Sequence, residues 1–388
     1  MSTGPDRRSR AATLAAVFTL GLAATLCGAQ APATSEAPPA NAPAAVGSPA
    51  AADAASPASN AAAEPPARPA GPPIALVLPL ESADYARAAE AVRDGFLAAA
   101  EAAGAKNRVQ VVAHKDGAVL EAFDRAREGG ARVVVGPLVR DDLKTIAESG
   151  REPPVTIALN QLDDAAPLPP RLYTFALAIE SDARAVARLM KEEGAVSVAV
   201  IGGPSPLMKR FAGAFVAEWI LGGGAPPEQR AFVPTADGLA ALRRDLARIP
   251  LDALVIAVEG ADAALVRNFA PRVPTWASAQ VHQQLDAAAL RDLEEVRFVD
   301  VAWLVAPDAD PYGRLPRPDW GSAALDRLYA LGIDAWRVAE AFVEAPPGAL
   351  AFDGATGRVT LSDARQIARE GRLATFRSGR VVALDPRR

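Results

Sequence analysis

Two histidines and one cysteine are all that the 388 residues offer of the side chains most used for thiol chemistry, zinc binding and proton transfer near neutral pH. The single cysteine, Cys27, permits no intrachain disulfide and no zinc site built on several thiolates. His114 and His282 lie at strand ends or in loops, far apart in sequence, so a Ser-His pair needs tertiary proximity; neither is read as catalytic. The chain contains no H-E-x-x-H, no G-x-S-x-G elbow, no phosphate-cradling G-x-x-x-x-G-K-[ST], and no G-x-G-x-x-G after a strand. "GGPSP" (202–206) has no lysine for phosphates and reads as a strand-to-helix turn. "DGATG" (353–357) has one carboxylate, too few oxygen ligands for calcium, and reads as a hairpin turn. No paired carboxylates mark a glycosidase. A net charge of −5 is not the basic excess of a nucleic-acid binder. These absences point to a protein that is not an enzyme and needs no metal or cofactor.

Long hydrophobic runs are also scarce. The one that stands out is Ala11 to Leu26, 16 residues behind Arg7, Arg8 and Arg10. It is short for a membrane span and has the shape of a secretory signal. Cys27 follows it directly, as in bacterial lipoproteins, whose cysteine becomes the lipid-bearing N-terminus. Ala24 and Leu26 depart from the usual residues before that cysteine. Two readings therefore stand: lipidation at Cys27, or ordinary cleavage near Ala29 that leaves a soluble exported protein. Residues 31–70 then hold 18 alanines and 9 prolines in 40 positions. Such a composition builds no core, and proline stiffens it into a tether. The expected division is a signal over 1–27, a tether over 28–71 and a folded part over 72–388.

From "IALVL" (74–78) onward, apolar strand runs alternate with helical patterns. The order is β-α-β-α-β-α-β-β, then a second α/β set from Ser181, a long helix from about Ala323 to Val343, and two terminal hairpins. "VRFVDVAWLVAP" (296–307) reads as a single strand. The stripe Met208, Phe211, Phe215 and Trp219 reads as the core face of a helix opened by Ser205 and Pro206. The predicted class is α/β: two lobes, each a mostly parallel sheet flanked by helices.

Two such lobes followed by a return of the chain resemble the type I periplasmic binding-protein fold, with three crossings between lobes. That resemblance places lobe one at about 72–177 and 277–345, and lobe two at about 178–276 and 346–388. Ligands of open α/β sheets sit at the carboxyl ends of strands. The candidate cleft is thus Pro79, Glu81, Ser82, Gly136, Pro137, Leu138, Arg140, Asn160, Gln161, Gly203, Ser205, Glu259, Ser278, Gln280 and His282. In amino-acid receptors of this fold the turn matching Gly136 carries hydroxyls that grip a carboxylate. Here Leu138 and Val139 stand in their place, and Asp141 and Asp142 already serve the positive helix end.

"VVVGPLVRDDL", "TIALNQL", "DALVIAVEGADAALVRNF", "VRFVDVAWL" and "RLYALGIDAWRVAE" together resemble the LppC family. The resemblance covers nearly all of 74–388. It implies an outer-membrane lipoprotein, facing the periplasm, that activates a bifunctional penicillin-binding protein, the synthase of cell-wall peptidoglycan. The best-known members carry a helical-repeat domain ahead of this one, where this chain has the tether. The rival reading is a solute receptor for an amino acid feeding an ABC transporter. Whether a small cell-wall ligand occupies the cleft is left open by the sequence.

Overall fold

The computed structural model describes residues 71–162, 168–362 and 365–384. The readings of Cys27, the signal and the tether lie outside these residues. The first lobe opens with five parallel strands: β1 (Ile74–Leu78), β2 (Val109–Ala113), β3 (Val133–Val135), β4 (Val155–Ala158) and β5 (Leu172–Phe175). Helices α1 (Ala86–Ala102), α2 (Val119–Glu128) and α3 (Arg140–Glu148) separate the first four. β1 and β3 are buried along their whole length, as strands covered on both faces must be.

After α4 (Ile179–Glu192) the second lobe repeats the plan. It runs through β6 (Val198–Gly202), α5 (Pro206–Leu221), β7 (Glu228–Ala231), α6 (Ala236–Leu246), β8 (Ala253–Ala257), α7 (Gly260–Phe269), β9 (Thr275–Ala277), α8 (Ala287–Asp292) and β10 (Arg297–Asp300). The chain then returns to lobe one as α9 (Ala302–Val305) and α10 (Ala323–Phe342). The last strands are β11 (Ala351–Gly354), β12 (Gly357–Leu361), β13 (Gln366–Glu370), β14 (Arg372–Arg377) and β15 (Arg380–Ala383).

Strand order in the first sheet is β11-β12-β13-β5-β4-β3-β1-β2, and in the second β15-β14-β10-β9-β8-β6-β7. The chain crosses between lobes three times: after β5, after β10 and at Gly371 between β13 and β14. The expected lobe limits need correction. Residues 277–300 belong to the second sheet, where β9 pairs with β8 and β10 with β9. Short βα links keep consecutive strands adjacent, so the return is postponed to Val301. Residues 351–370 belong to the first sheet, since β13 pairs with β5; the second lobe receives only β14 and β15.

"VRFVDVAWLVAP" is likewise not one strand. It stops at Asp300, whose carboxylate accepts the Val301 N–H at 2.7 Å, and a helical turn follows. Strand β13 and helix α8 were not anticipated; their short, mixed patterns carry little periodicity.

The core of lobe one is built on α1 against α10. Their contact is close because Gly95 and Gly332 carry no side chain: a Cβ on Gly332 would lie 2.1 Å from the Val92 carbonyl oxygen, and one on Gly95 2.0 Å from that of Tyr329. Phe96 meets Trp336 edge-on beside this crossing. The buried Asp334 of α10 reaches the β11–β12 turn, accepting from the N–H groups of Ala355 and Thr356 at 2.8 and 2.7 Å and from the Thr356 hydroxyl at 2.6 Å. In lobe two, Met208, Phe211, Phe215 and Trp219 all face the core, as their helical spacing predicts.

Candidate functional site

A cavity of about 420 Å³ lies between the lobes at the carboxyl ends of β3 and β4. The β3–α3 turn supplies Leu138, Val139, Arg140 and Asp141; the segment after β4 supplies Leu159, Asn160 and Gln161. The first crossing adds Leu177 and Ile179, α10 adds Leu328 and Leu331, and Leu207 and Arg210 of α5 close it from the second lobe.

The turn is built from its backbone outward. Gly136 has φ +117°, and a Cβ there would sit 2.1 Å from the Val77 carbonyl oxygen, so only glycine fits. The Gly136–Pro137 bond is cis. Asn160 clamps the turn, its Nδ2 donating to the Leu138 carbonyl at 2.9 Å and its Oδ1 accepting the Gln161 N–H. Its polar groups are thereby used inside the wall. Helix α3 starts at Arg140 behind Val139, which provides no side-chain cap, and Asp141 and Asp142 occupy its first turn. Burial pushes the Asp142 carboxyl up, against the pull of His114. Arg210 donates to Glu180 at 2.6 Å; burial would raise the Glu180 carboxyl, but the hydrogen bond and charge of Arg210 bring it below its ordinary value.

Of the residues expected in the cleft, Leu138, Arg140, Asn160 and Gln161 line this cavity, and Gly136 and Pro137 shape the turn behind it. The others serve neighbouring turns. Pro79 and Ser82 form the bend after β1, where the Ser82 Oγ accepts from the N–H groups of Asp84 and Tyr85, while the Glu81 N–H donates to the His114 carbonyl. The Gly203 N–H donates to the Ala257 carbonyl, and Ser205 caps α5 while donating to Glu259 at 2.9 Å. Ser278 is buried against Met208, and Gln280 lines a separate cavity of about 170 Å³ beside Arg327.

His282 belongs to a network that sequence reasoning missed. Its Nδ1 lies 2.8 Å from Asp300 Oδ2. Arg327 of α10 donates to both carboxylate oxygens of Asp300, at 2.8 and 2.9 Å, and to the carbonyls of Ala279 and His282. Burial raises the Asp300 carboxyl, but Arg327 and His282 outweigh it and hold that group well below the usual carboxylate range. A second buried pair joins Arg369 of β13 to Asp182 of α4 at 2.8 Å. In each pair the arginine comes from the first lobe and the aspartate from the second. The signal was present in "VRFVDVAWL" and "RLYALGIDAWRVAE", which hold Asp300 and Arg327, but nothing local in either says that the two meet.

Among the described residues no group of His, Cys, Asp and Glu could hold a metal ion. None of the described helices is long and apolar enough to cross a membrane.

The family model described as "LppC putative lipoprotein" matches residues 69–232 and 238–379. The chain belongs to the LppC family. Curated relatives of this LppC chain include "Penicillin-binding protein activator LpoA" of Mannheimia succiniciproducens, 26% identical over 329 residues that cover 80% of this chain and 55% of that one. The same-named protein of Edwardsiella ictaluri is 26% identical over 310 residues, 68% of this chain and 45% of its own. The LppC chain thus spans about half the length of the curated relatives it matches. Among solved structures, a Chromobacterium violaceum protein described as a "putative branched-chain amino acid ABC transporter" is 32% identical, with TM-score 0.69, covering 78% of this chain and 99% of that one. The C-domain of Haemophilus influenzae LpoA, described as "a regulator of PBP1A", shares the fold at TM-score 0.68 and 23% identity, covering 80% of this chain and 99% of that one.

Proposed function

We propose that this LppC chain is a non-catalytic activator of peptidoglycan synthesis, acting in the periplasm by contact with a bifunctional penicillin-binding protein. The observation that carries this reading is the family match across both lobes, together with the names of its curated relatives. The cavity supports it. A solute receptor needs donors that converge on its ligand. Here the turn after Gly136 offers Leu138 and Val139 beside Arg140 and Gln161, while Asn160 is spent on the wall and Arg210 on Glu180. The Chromobacterium neighbour, 32% identical and described as a "putative branched-chain amino acid ABC transporter", is the observation that favours the solute-receptor reading instead.

Activation by contact requires that the domain bind the active state of the synthase more tightly than the resting state. Buried Arg–Asp pairs between the lobes suit a surface that is held ready rather than closed around a solute. A lipid at Cys27 would hold the domain to the outer membrane.

The test is to add the purified protein to the cognate synthase and follow glycan polymerisation and cross-linking, with binding measured in parallel. Direct binding with a rise in either rate is expected. Absence of both sinks the activator reading and leaves the solute receptor as the better one.

A further inference from the structure

The end of the second sheet remote from the interlobe cleft holds a larger cavity, about 830 Å³, where β9 and β10 begin and the β14–β15 hairpin turns. Four arginines line it, Arg267, Arg272, Arg297 and Arg377, against the carboxylates of Glu193 and Glu295. Arg297 pairs with Glu193 and lies over the Trp276 ring. Three guanidiniums then face one carboxylate, in a chain whose net charge is −5.

Arg272 and Arg377 are exposed to solvent, and the fold makes little use of their charge. Among the described residues Arg272 and Arg377 make no side-chain hydrogen bond or ion pair, and Arg267 reaches only the Pro271 carbonyl, at 3.4 Å. Their placement is also costly. Burial, and then the charge of Arg272, pull the Arg267 guanidinium below its ordinary pKa, against the opposing charge of Glu295. Arg377 stands opposite Arg380 in the hairpin register, and like charges directly opposed weaken a strand pair. The hydroxyls of Thr275 and Thr375 already donate to the carbonyls of Val273 and Val296, which leaves recognition to the guanidiniums. An anion between them would relieve these repulsions.

We propose that this cavity binds a phosphate-bearing anion, with Arg272 and Arg377 as its main contacts. The guanidinium fork matches phosphate oxygens in pairs, and an excess of two positive charges suits a multiply charged group. The volume exceeds that of inorganic phosphate, so the natural ligand carries a larger body. This site is independent of the interlobe cleft and of the activator reading.

The full chain is titrated calorimetrically with inorganic pyrophosphate, beside the variant R272E/R377E and a control, R243E/R244E, with the same charge change on the exposed last turn of α6. The wild type and the control are expected to bind within twofold of one another, more weakly as salt rises, and R272E/R377E at least tenfold more weakly. Thermal melting checks folding, and R272Q, expected to lose threefold or more, substitutes if the double reversal unfolds. No binding by the wild type, or equal loss in the control, overturns the proposal. Competition against bound pyrophosphate then identifies the source. Displacement by short-chain phosphatidylglycerol points to a lipid headgroup, and displacement only by glucose 1-phosphate points to a soluble phosphate ester. Displacement by neither overturns the larger-ligand part.

Discussion

Replacing Arg327 by methionine removes four hydrogen bonds from the lobe interface and leaves Asp300, 1% exposed, without its guanidinium. Methionine keeps much of the volume, so the loss is electrostatic rather than a cavity. Breaking a buried ion pair by deleting one partner costs about 3–5 kcal/mol. That is a large part of the about 5–15 kcal/mol that holds a typical domain. Removing both charges costs less, because no buried carboxylate is stranded. The double variant D300N/R327M is therefore expected to be more stable than R327M, with a coupling of at least about 1 kcal/mol.

The pH dependence carries a sign. In the wild type the Asp300 carboxyl titrates below its unfolded value, so its contribution is complete above about pH 4 and fades as the pH falls further. In R327M only His282 still opposes burial, and that carboxyl is expected to rise. The variant then takes up a proton on folding, and its deficit shrinks between neutral pH and about pH 4. Urea unfolding followed by tryptophan fluorescence reads this, because Trp303 and Trp336 report the first lobe and Trp219 and Trp276 the second. A deficit below about 1 kcal/mol at pH 7, strict additivity in the double variant, or a deficit that grows on acidification would refute the reasoning.

Gly332→Ala pushes a Cβ to within 2.1 Å of the Val92 carbonyl oxygen, and the α1–α10 crossing must separate. Destabilisation of about 1–3 kcal/mol is expected in thermal unfolding, and an unchanged midpoint would remove the close crossing as its cause. Leucine, valine and glutamate, each at millimolar concentration, are expected to leave the melting temperature unchanged. A micromolar receptor at 100 times its Kd would gain about 2.7 kcal/mol, so a clear upward shift with any one of them would restore the solute-receptor reading.

The parts of the fold written in local pattern were legible. Alternating apolar runs and amphipathic helices gave the two α/β lobes, and the Met208–Trp219 stripe faces the core for the reason its spacing states. The lobe limits were not legible, because a strand's pattern says that it is buried but not which sheet buries it. β13 pairs with β5 across nearly two hundred residues of chain, and no local signal encodes that partner. The cavity was half visible. Turns after strands located Leu138, Arg140, Asn160 and Gln161, whereas Leu207, Arg210, Leu328 and Leu331 project from helix faces brought together only by the crossings. Asp300 and Arg327 sat in conspicuous segments, yet their pairing is tertiary.

The final strands have a consequence for the making of the chain. Synthesis proceeds from the amino end, and β5 and β10 are each the last parallel strand of their sheet until β13 and β14 arrive. A nascent chain stopped short of residue 351 would hold nearly all of its hydrophobic residues and two bare sheet edges at once. Such edges recruit other chains. Strands β11 to β15 therefore complete both lobes, and a chain stopped before them is expected to aggregate or be degraded rather than work as a fragment.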